Sequence, residues 1–220
     1  MYLASIFYDK INIKKEVFMS KQIKTAVLFL FCIFALVGGG KFYMDRMKVD
    51  NLYRHGFQLY EEQIATYLKE HYSGISKIEF SPIFKSGGRG EGFVHARIVP
   101  VVYDNYGNKV YLRNDGTINT LVPNYVLTSG IELDFNVNDG SEIIYLYNEK
   151  NESVKVGQHQ HLPEQLKLQT YKSTDAIIAA YSQKEALKGV EKNNQGSPKA
   201  KIVYNLEIKR VDEREVGKWK

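Results

Sequence analysis

The chain has 220 residues, enough for one or two ordinary domains, and its 44% hydrophobic and 25% charged residues are typical of a globular protein. A single cysteine excludes a disulfide framework and any multi-thiolate metal site. The net charge of +5 is confined to residues 1–48, which hold eight Lys/Arg against three Asp/Glu, whereas residues 49–220 hold twenty-two of each. This neutral C-terminal part argues against nucleic-acid binding, because it offers phosphates no net attraction.

A strongly apolar stretch near the N-terminus predicts one transmembrane helix over residues 23–44. As a helix this stretch is about 33 Å long, enough to cross the roughly 30 Å hydrocarbon core of a bilayer. Bulky apolar side chains surround it without a polar stripe, which argues against a helix buried in a soluble protein. These anchor residues are Val27, Leu28, Phe29, Leu30, Phe31, Ile33, Phe34, Leu36 and Val37.

The flanking charges predict how this helix is oriented. Five lysines precede its uncharged run, residues 25–40, against one Asp and one Glu, so the positive-inside rule places residues 1–22 in the cytoplasm and the following domain outside the cell. Met19 is followed by Ser20 and Lys21 in the manner of a second translation start. In that case residues 1–18 would be an incorrectly assigned start.

Three fates of the apolar segment compete. A cleaved signal peptide needs a small-residue cleavage site, and residues 38–40 (Gly-Gly-Gly) could serve, although no Ala-x-Ala stands there. A lipoprotein needs a small residue before its modified cysteine, whereas Phe31 precedes Cys32. We therefore expect an uncleaved signal anchor with the lipid bilayer as its partner.

The domain that follows, residues 49–210, begins with a pattern typical of an amphipathic helix over residues 49–72. We expect Asp50 to cap its start and Ser73-Gly74 to end it. Carboxylates such as Glu61 and Glu62 are expected on its solvated outer face. The apolar stripe comprises Tyr53, Phe57, Tyr60, Ile64, Tyr67, Leu68 and Tyr72.

The rest of the domain reads mostly as strands. A second, shorter helix is predicted over residues 174–189, before the last strand, and residues 211–220 form a charged tail. Hairpins dominate and no strand–helix–strand rhythm is present. We therefore expect an α+β fold, a mostly antiparallel sheet with the first helix packed on one face. Strands are predicted over residues 75–84, 93–103, 109–113, 131–137, 142–147 and 202–208, with turns at 105–108 and 138–140.

A glycine-rich segment, residues 86–92, has the composition of a phosphate-binding loop without its context. Such a loop needs a following helix and a Gly-Lys-Ser/Thr sequence, whereas this segment lies between two predicted strands. We expect a hairpin loop, with Arg89 as a candidate contact for a partner.

Metal sites are not predicted either. Residues 134–140 open like a calcium loop, but Asp139 stands where that loop needs glycine and Tyr145 where it needs a bidentate Glu. His159 and His161 have Glu164 nearby but no identifiable further ligand for zinc. We expect no metal and no cofactor.

Nucleophile motifs are missing from the sequence. There is no Gly-x-Ser-x-Gly and no His-Glu-x-x-His, and Cys32 lies in the apolar segment. We therefore expect that the protein is not an enzyme. Tyr103, Tyr106 and Tyr111 cluster around a predicted hairpin tip and are candidate contacts for a protein partner.

Three stretches carry a resemblance: residues 61–80 (EEQIATYLKEHYSGISKIEF), 101–108 (VVYDNYGN) and 196–205 (GSPKAKIVYN). They resemble a group of small uncharacterised membrane-anchored extracytoplasmic proteins of streptococci and related Gram-positive bacteria. Members share a short anchor, an amphipathic helix ending in a Tyr-Ser-Gly-Ile-like turn, and a following strand. The resemblance implies a location and an architecture but no catalytic residue. Many members are lipoproteins, a property that does not transfer because Cys32 lacks a lipobox.

These features favour a membrane-anchored extracytoplasmic protein that acts as a non-catalytic binding module. An alternative is an immunity or inhibitor protein that neutralises an extracellular toxin or hydrolase, since small anchored α+β domains suit that task without any motif. A cell-envelope hydrolase is the third candidate, because a catalytic pair assembled only in space leaves no mark on one sequence.

Overall fold

The computed structural model describes residues 21–87, 94–113, 130–136, 139 and 141–211, and the chain divides into two compact units, Met1–Lys48 and Val49–Lys220. Two α-helices and twelve strands are assigned within the described residues. They are α1 (Lys21–His71), β1 (Tyr72–Ser73), β2 (Ile75–Phe80), β3 (Ile83–Gly87), β4 (Val94–Arg97), β5 (Pro100–Asp104), β6 (Lys109–Tyr111), β7 (Ile131–Phe135), β8 (Glu142–Tyr147), β9 (Ser153–Lys155), α2 (Lys172–Gln183), β10 (Glu191–Lys192), β11 (Lys201–Val203) and β12 (Ile208–Arg210).

In the first unit, the described part of α1 carries an uncovered apolar surface. One 18-residue window of this helix has a mean hydropathy of 2.0, and none of that window is buried. The helix is therefore long and apolar enough to cross a membrane. Leu36 and Val37 belong to it, but their side chains lie outside the described set, as do residues 1–20 as a whole. Seven anchor side chains are between 41% and 74% exposed: Val27, Leu28, Phe29, Leu30, Phe31, Ile33 and Phe34.

The second unit has the predicted α+β class, but its described strands form four small sheets rather than one. Their strand orders are β1–β10, β11–β2–β5–β6, β12–β3–β4 and β7–β8–β9. The hairpins and the β1–β10 pair are antiparallel, whereas β11 pairs with β2, and β12 with β3, in parallel. In both parallel pairs, a strand from the C-terminal part of the chain lies beside a strand from the beginning of the domain.

Two of the predicted strands are each interrupted in the structure and form two shorter strands. The strand predicted over residues 75–84 is interrupted at Ser81-Pro82, since proline lacks the N–H that a continuous ladder requires. The last strand, predicted over residues 202–208, is likewise two strands separated by residues 204–207. Tyr204, expected in the core, is 43% exposed. The predicted run over 93–103 also divides, into β4 and β5.

In the second unit, α1 is enclosed on more than one face. The predicted stripe is buried except for the half-buried Tyr53, but positions off the stripe are buried too. Strands cover one side of the helix, while residues 160–171 cover another through bonds from Gln63 to the Leu166 carbonyl and between the Tyr60 and Tyr171 hydroxyls. The buried residues off the stripe are Leu52, Leu59, Glu61, Gln63 and Ala65.

Two expectations about α1 are therefore wrong. Asp50 is not a helix cap, because α1 runs through it without a break; its carboxylate lies 4.0 Å from the ammonium of the buried Lys85. Glu61 is not on a solvated face, because its residue is 0% exposed. Glu62 keeps a side-chain exposure of 15%.

The predicted end of α1 is confirmed, and it requires glycine. The helix ends at His71, and Gly74 adopts a φ of +79°, a left-handed conformation that other residues reach only with strain. A Cβ at Gly74 would also overlap the backbone carbonyl oxygen of Gly189.

Helix α2 begins two residues before its predicted start and ends six before its predicted end, and three strands rather than one follow it. Its place against α1 is fixed by Asp175. One carboxylate oxygen accepts hydrogen bonds from the hydroxyls of Tyr67 and Tyr72, both at 2.6 Å, and the other lies 2.6 Å from the Lys192 ammonium. These bonds outweigh burial and lower the pKa of Asp175.

Candidate functional site

The sheet β11–β2–β5–β6 turns one face to the core, and its opposite face is partly exposed, with Val101 buried within it. Ile202, Ile78, Val102 and Val110 are paired across its four strands, and the last three are buried. Side chains alternate along a strand, so the adjacent rows lie on the opposite face. We call this the basic face; its rows are Lys201, Lys77, Tyr103 and Lys109, and Val203, Glu79, Val101 and Tyr111.

The centre of the basic face is a fixed cluster of three side chains. The Lys77 ammonium lies 2.7 Å from a Glu79 carboxylate oxygen and 3.7 Å from the centre of the Tyr103 ring. The Tyr103 hydroxyl donates to the same Glu79 oxygen at 2.9 Å. The hydrogen bond between Lys77 and Glu79 raises the pKa of the lysine and lowers that of the glutamate, so both are charged at neutral pH.

Around this cluster the basic face has an excess of positive charge. Lys109 and Lys201 are exposed, and the Arg113 guanidinium lies 5.2 Å from the centre of the Tyr111 ring, with the Lys109 ammonium at 5.3 Å. Among the described residues, three lysines of the face therefore accompany one carboxylate, Glu79, and Arg113 lies next to it beside the Tyr111 ring. Cations held over tyrosine rings present both charge and aromatic surface to a binding partner.

The tip of the β5–β6 hairpin is held rigidly by Asp104, which is 1% exposed. Its carboxylate accepts bonds from the backbone N–H groups of Tyr106, Asn108 and Lys188 and from the Asn108 amide, at 2.7 to 2.9 Å. Burial opposes the charged form, but these bonds outweigh it and lower the pKa of Asp104. Tyr106, at 74% exposure, therefore projects from a fixed turn.

The sequence-predicted contacts are thus distributed as follows. Tyr103 and Tyr111 lie on the basic face, and Tyr106 lies at the tip of the same hairpin. Arg89 lies outside the described residues, between β3 and β4, which form an antiparallel pair. The lysines of the basic face were not singled out from the sequence, because only the strand pairing, which brings Lys201 beside Lys77, places them in one row.

Of the histidine pair, His161 contacts α1 through Glu62, and His159 is bonded through its backbone. One nitrogen of His161 lies 3.2 Å from a Glu62 oxygen, while the other Glu62 oxygen accepts the Leu162 N–H at 2.8 Å. Glu164 forms an ion pair with a lysine instead. In the part of the chain that the structure describes, no three His, Cys, Asp or Glu side chains are grouped to hold a metal ion.

His55, which the sequence did not single out, joins the same loop to β8. Its Nδ1 lies 2.7 Å from a Glu142 carboxylate oxygen, and its Nε2 lies 2.7 Å from the His159 carbonyl oxygen. Both partners are acceptors, so both ring nitrogens donate only when the ring is protonated. Burial lowers the pKa of His55, but the bonds to Glu142 and His159 outweigh it and raise the pKa above 6.5.

Glu61 is the most unusual acid in the described residues. One carboxyl oxygen accepts the Asn205 N–H at 3.2 Å, while the other has no hydrogen-bond partner among the described residues. Burial raises the pKa of Glu61 to about 9, against the smaller opposing effect of the Asn205 N–H. This side chain of α1 is therefore a neutral carboxylic acid at pH 7, and it is buried against the segment that contains Asn205.

Comparisons with known proteins add no constraint to these observations. No protein-family model matches the chain, and neither the curated proteins nor the solved structures give a significant match.

Proposed function

We propose that the chain is a single-pass membrane protein whose domain, residues 49–210, lies outside the cytoplasm and binds a partner without catalysing a reaction. The observation that carries this proposal is the bare apolar surface of α1. Seven bulky side chains between Val27 and Phe34 are 41% to 74% exposed. Keeping them in water would cost on the order of 10 kcal/mol, which insertion into a bilayer removes.

The orientation rests on the charges of the flanking segments. The five lysines that precede the apolar segment favour the cytoplasmic side. Lys41, Arg46 and Lys48 follow it and reduce the difference, but the N-terminal excess remains. The domain would then face the extracellular space.

Fractionation and protease treatment of cells that express the full chain with a C-terminal tag test this anchor. We expect the tag in the membrane fraction and its removal by protease added to whole cells. A double substitution, Leu30→Arg with Phe34→Arg, adds about 5 to 7 kcal/mol to insertion and should release the protein or block export. Full-length protein in the soluble fraction, or a tag degraded only after lysis, would contradict the proposal.

The basic face supports binding of an acidic protein surface. Among the described residues, its three lysines and one carboxylate give it charge complementarity to such a partner, and the Tyr103 ring is already held in place by Glu79. We expect no catalysis at this face, because Lys77 and Glu79 form an ion pair with one another rather than activating a nucleophile. Binding, not catalysis, is therefore the function that this geometry favours.

Charge reversal tests the basic face. Lys109→Glu combined with Lys201→Glu should slow association and weaken binding to the partner isolated with the full chain from membranes, and the wild-type affinity should fall with salt. Lys150→Glu, on an exposed turn between β8 and β9, is the matched control. Equal binding by the double variant and the control would exclude the basic face as the contact surface.

A further inference from the structure

Residues 157–162, which we call the strap, lie along one face of α1 and are joined to it by polar contacts. Three side chains of α1, spaced three and four residues apart, reach the strap; this spacing places them in one row on the helix surface. The contacts join His55 to the His159 carbonyl, Gln58 to the Gln160 carbonyl and Glu62 to the Leu162 N–H, at 2.7, 3.2 and 2.8 Å.

The strap has little apolar surface of its own to hold it in place. Val156 and Leu166, which precede and follow it, are buried in the core, so the segment between them is fixed at both ends. Residues 158–161 are exposed, and Leu162 is partly buried against the core. Segments with few buried apolar contacts open locally at a lower free energy than the whole domain. The position of the strap on α1 therefore depends on its polar bonds.

The bond from His55 to the strap depends on a proton. Its Nδ1 lies 2.7 Å from a carboxylate oxygen of Glu142 in β8, and its Nε2 lies 2.7 Å from the His159 carbonyl oxygen. Both oxygens are acceptors, so a protonated ring satisfies both and a neutral ring satisfies only one. The charged groups that act on this ring are Glu142 and, from α1 itself, Glu62, both of them negative. On the side of the strap, the ring of His161 contacts Glu62.

A neutral His55 ring keeps its bond to β8 and loses its bond to the strap. A carboxylate is a stronger acceptor than a peptide carbonyl, so the remaining proton stays on Nδ1, beside Glu142. Nε2 then presents a lone pair to the His159 carbonyl oxygen, and two acceptors this close repel one another. Burial lowers the pKa of His55, but the bonds to Glu142 and His159 outweigh it and raise the pKa, which places this change above pH 6.5.

We propose that the strap is a pH-sensitive element of the domain, held on α1 while His55 is protonated and released when His55 loses its proton. Release uncovers the row of α1 formed by His55, Gln58 and Glu62. Because the folded-state pKa is raised, the bond to the strap is fully present below pH 6.5 and is lost as the pH rises through that pKa. The inference is independent of the membrane anchor and of the basic face, since none of its residues belongs to either.

Hydrogen exchange of the full chain in detergent micelles, followed by mass spectrometry from about pH 5.5 to about pH 8.5, tests the inference. The rates are corrected for the intrinsic pH dependence of exchange with an unfolded peptide of the same sequence as the strap. Fragments that cover the strap report its release, and fragments that cover β2 report opening of the whole domain. We expect the protection of the strap, relative to that of β2, to fall at least tenfold above pH 6.5, because a bond from a charged donor is lost.

Two variants connect this change to His55. His55→Gln cannot gain a proton, so its strap should have the low protection of the released state at every pH. Glu142→Gln removes the neighbouring charge and should move the transition to lower pH without abolishing it. His71→Gln, on the same helix, is the matched control and should keep the wild-type transition, because that ring bonds to the Tyr67 carbonyl of α1 itself. Protection of the wild-type strap that does not change with pH, an equal loss in β2, or an unshifted transition in His55→Gln would overturn the inference.

Discussion

Replacing Glu61 by Gln should change how the stability of the domain depends on pH. The carboxyl is enclosed with one oxygen unpartnered among the described residues, and its pKa is raised from 4.5 to about 9. The folded state therefore keeps a proton that the unfolded state has already released in this range. For an acid with a raised pKa, the free energy of unfolding falls as the pH increases between the two values.

The size of the effect follows from that interval. Each pH unit between 4.5 and about 9 removes about 1.4 kcal/mol of stability. At pH 7 the loss relative to pH 4.5 is roughly 3 kcal/mol, a large part of the stability of an ordinary domain. Glutamine has nearly the same shape and an oxygen that can accept the Asn205 N–H, but it carries no charge at any pH. The variant should thus be more stable than wild type at pH 7.

Urea unfolding of the full chain in detergent, followed by the near-ultraviolet circular dichroism of the buried tyrosines, measures this difference at pH 5, 6, 7 and 8. We expect the free energies of the two proteins to be similar at pH 5 and to diverge by about 1.4 kcal/mol per pH unit above it. Other titrating groups, His55 among them, are common to both proteins and cancel in the difference.

The matched control is Glu70→Gln, the same substitution on the same helix at a side chain that is 47% exposed. It should shift stability by less than about 1 kcal/mol, mostly through its ion pair with Lys167. Parallel pH profiles for wild type and Glu61→Gln would refute the reasoning, because they would show that Glu61 ionises in the folded domain at its ordinary pKa.

Two further predictions concern His55 in α1 and the turn that follows this helix. Gly74→Ala should lower the free energy of unfolding in urea by more than about 3 kcal/mol, whereas Gly189→Ala should lower it by only about 1 to 2 kcal/mol. Both glycines have positive φ, but of the two only a Cβ at Gly74 would overlap backbone atoms. Equal losses in the two variants would exclude that overlap. The His55 ring should titrate above pH 6.5 by NMR, and Glu142→Gln should lower that pKa. Because the pKa of His55 is raised, its bond to Glu142 stabilises the fold fully below pH 6.5, and this stabilisation is lost as the pH rises through the folded-state pKa. An unchanged His55 pKa in the Glu142→Gln variant would contradict the ion pair.

Local features of the fold were predictable from the sequence. The three- and four-residue spacing from Tyr53 to Tyr72 predicted a helix and about half of the positions that are buried along it, because a side chain every turn faces the same neighbour. Residues 105–108 predicted the hairpin between β5 and β6 through their turn composition. Gly74 marked the end of α1 for the same local reason, its freedom to adopt positive φ.

Non-local pairing was not predictable. The parallel pairs β11–β2 and β12–β3 join segments more than 120 residues apart, and no periodicity within one segment records its partner. The basic face depends on these pairs, because Lys201 becomes a neighbour of Lys77 only through the parallel register.

The error at Glu61 has a specific physical origin. A helix that packs by one face leaves its opposite face to water, and a carboxylate off the apolar stripe is then solvated at no cost. Here strands cover one side of α1, and residues 160–171 together with residues 204–207 cover others, so only Gln58, Glu62 and Thr66 keep partial exposure between residues 56 and 68. Burial on several faces follows from how many elements surround the helix, which is a property of the whole chain. A polar residue off the stripe of a central helix must then find a partner or lose its charge: Gln63 donates to two carbonyls, and Glu61 keeps its proton.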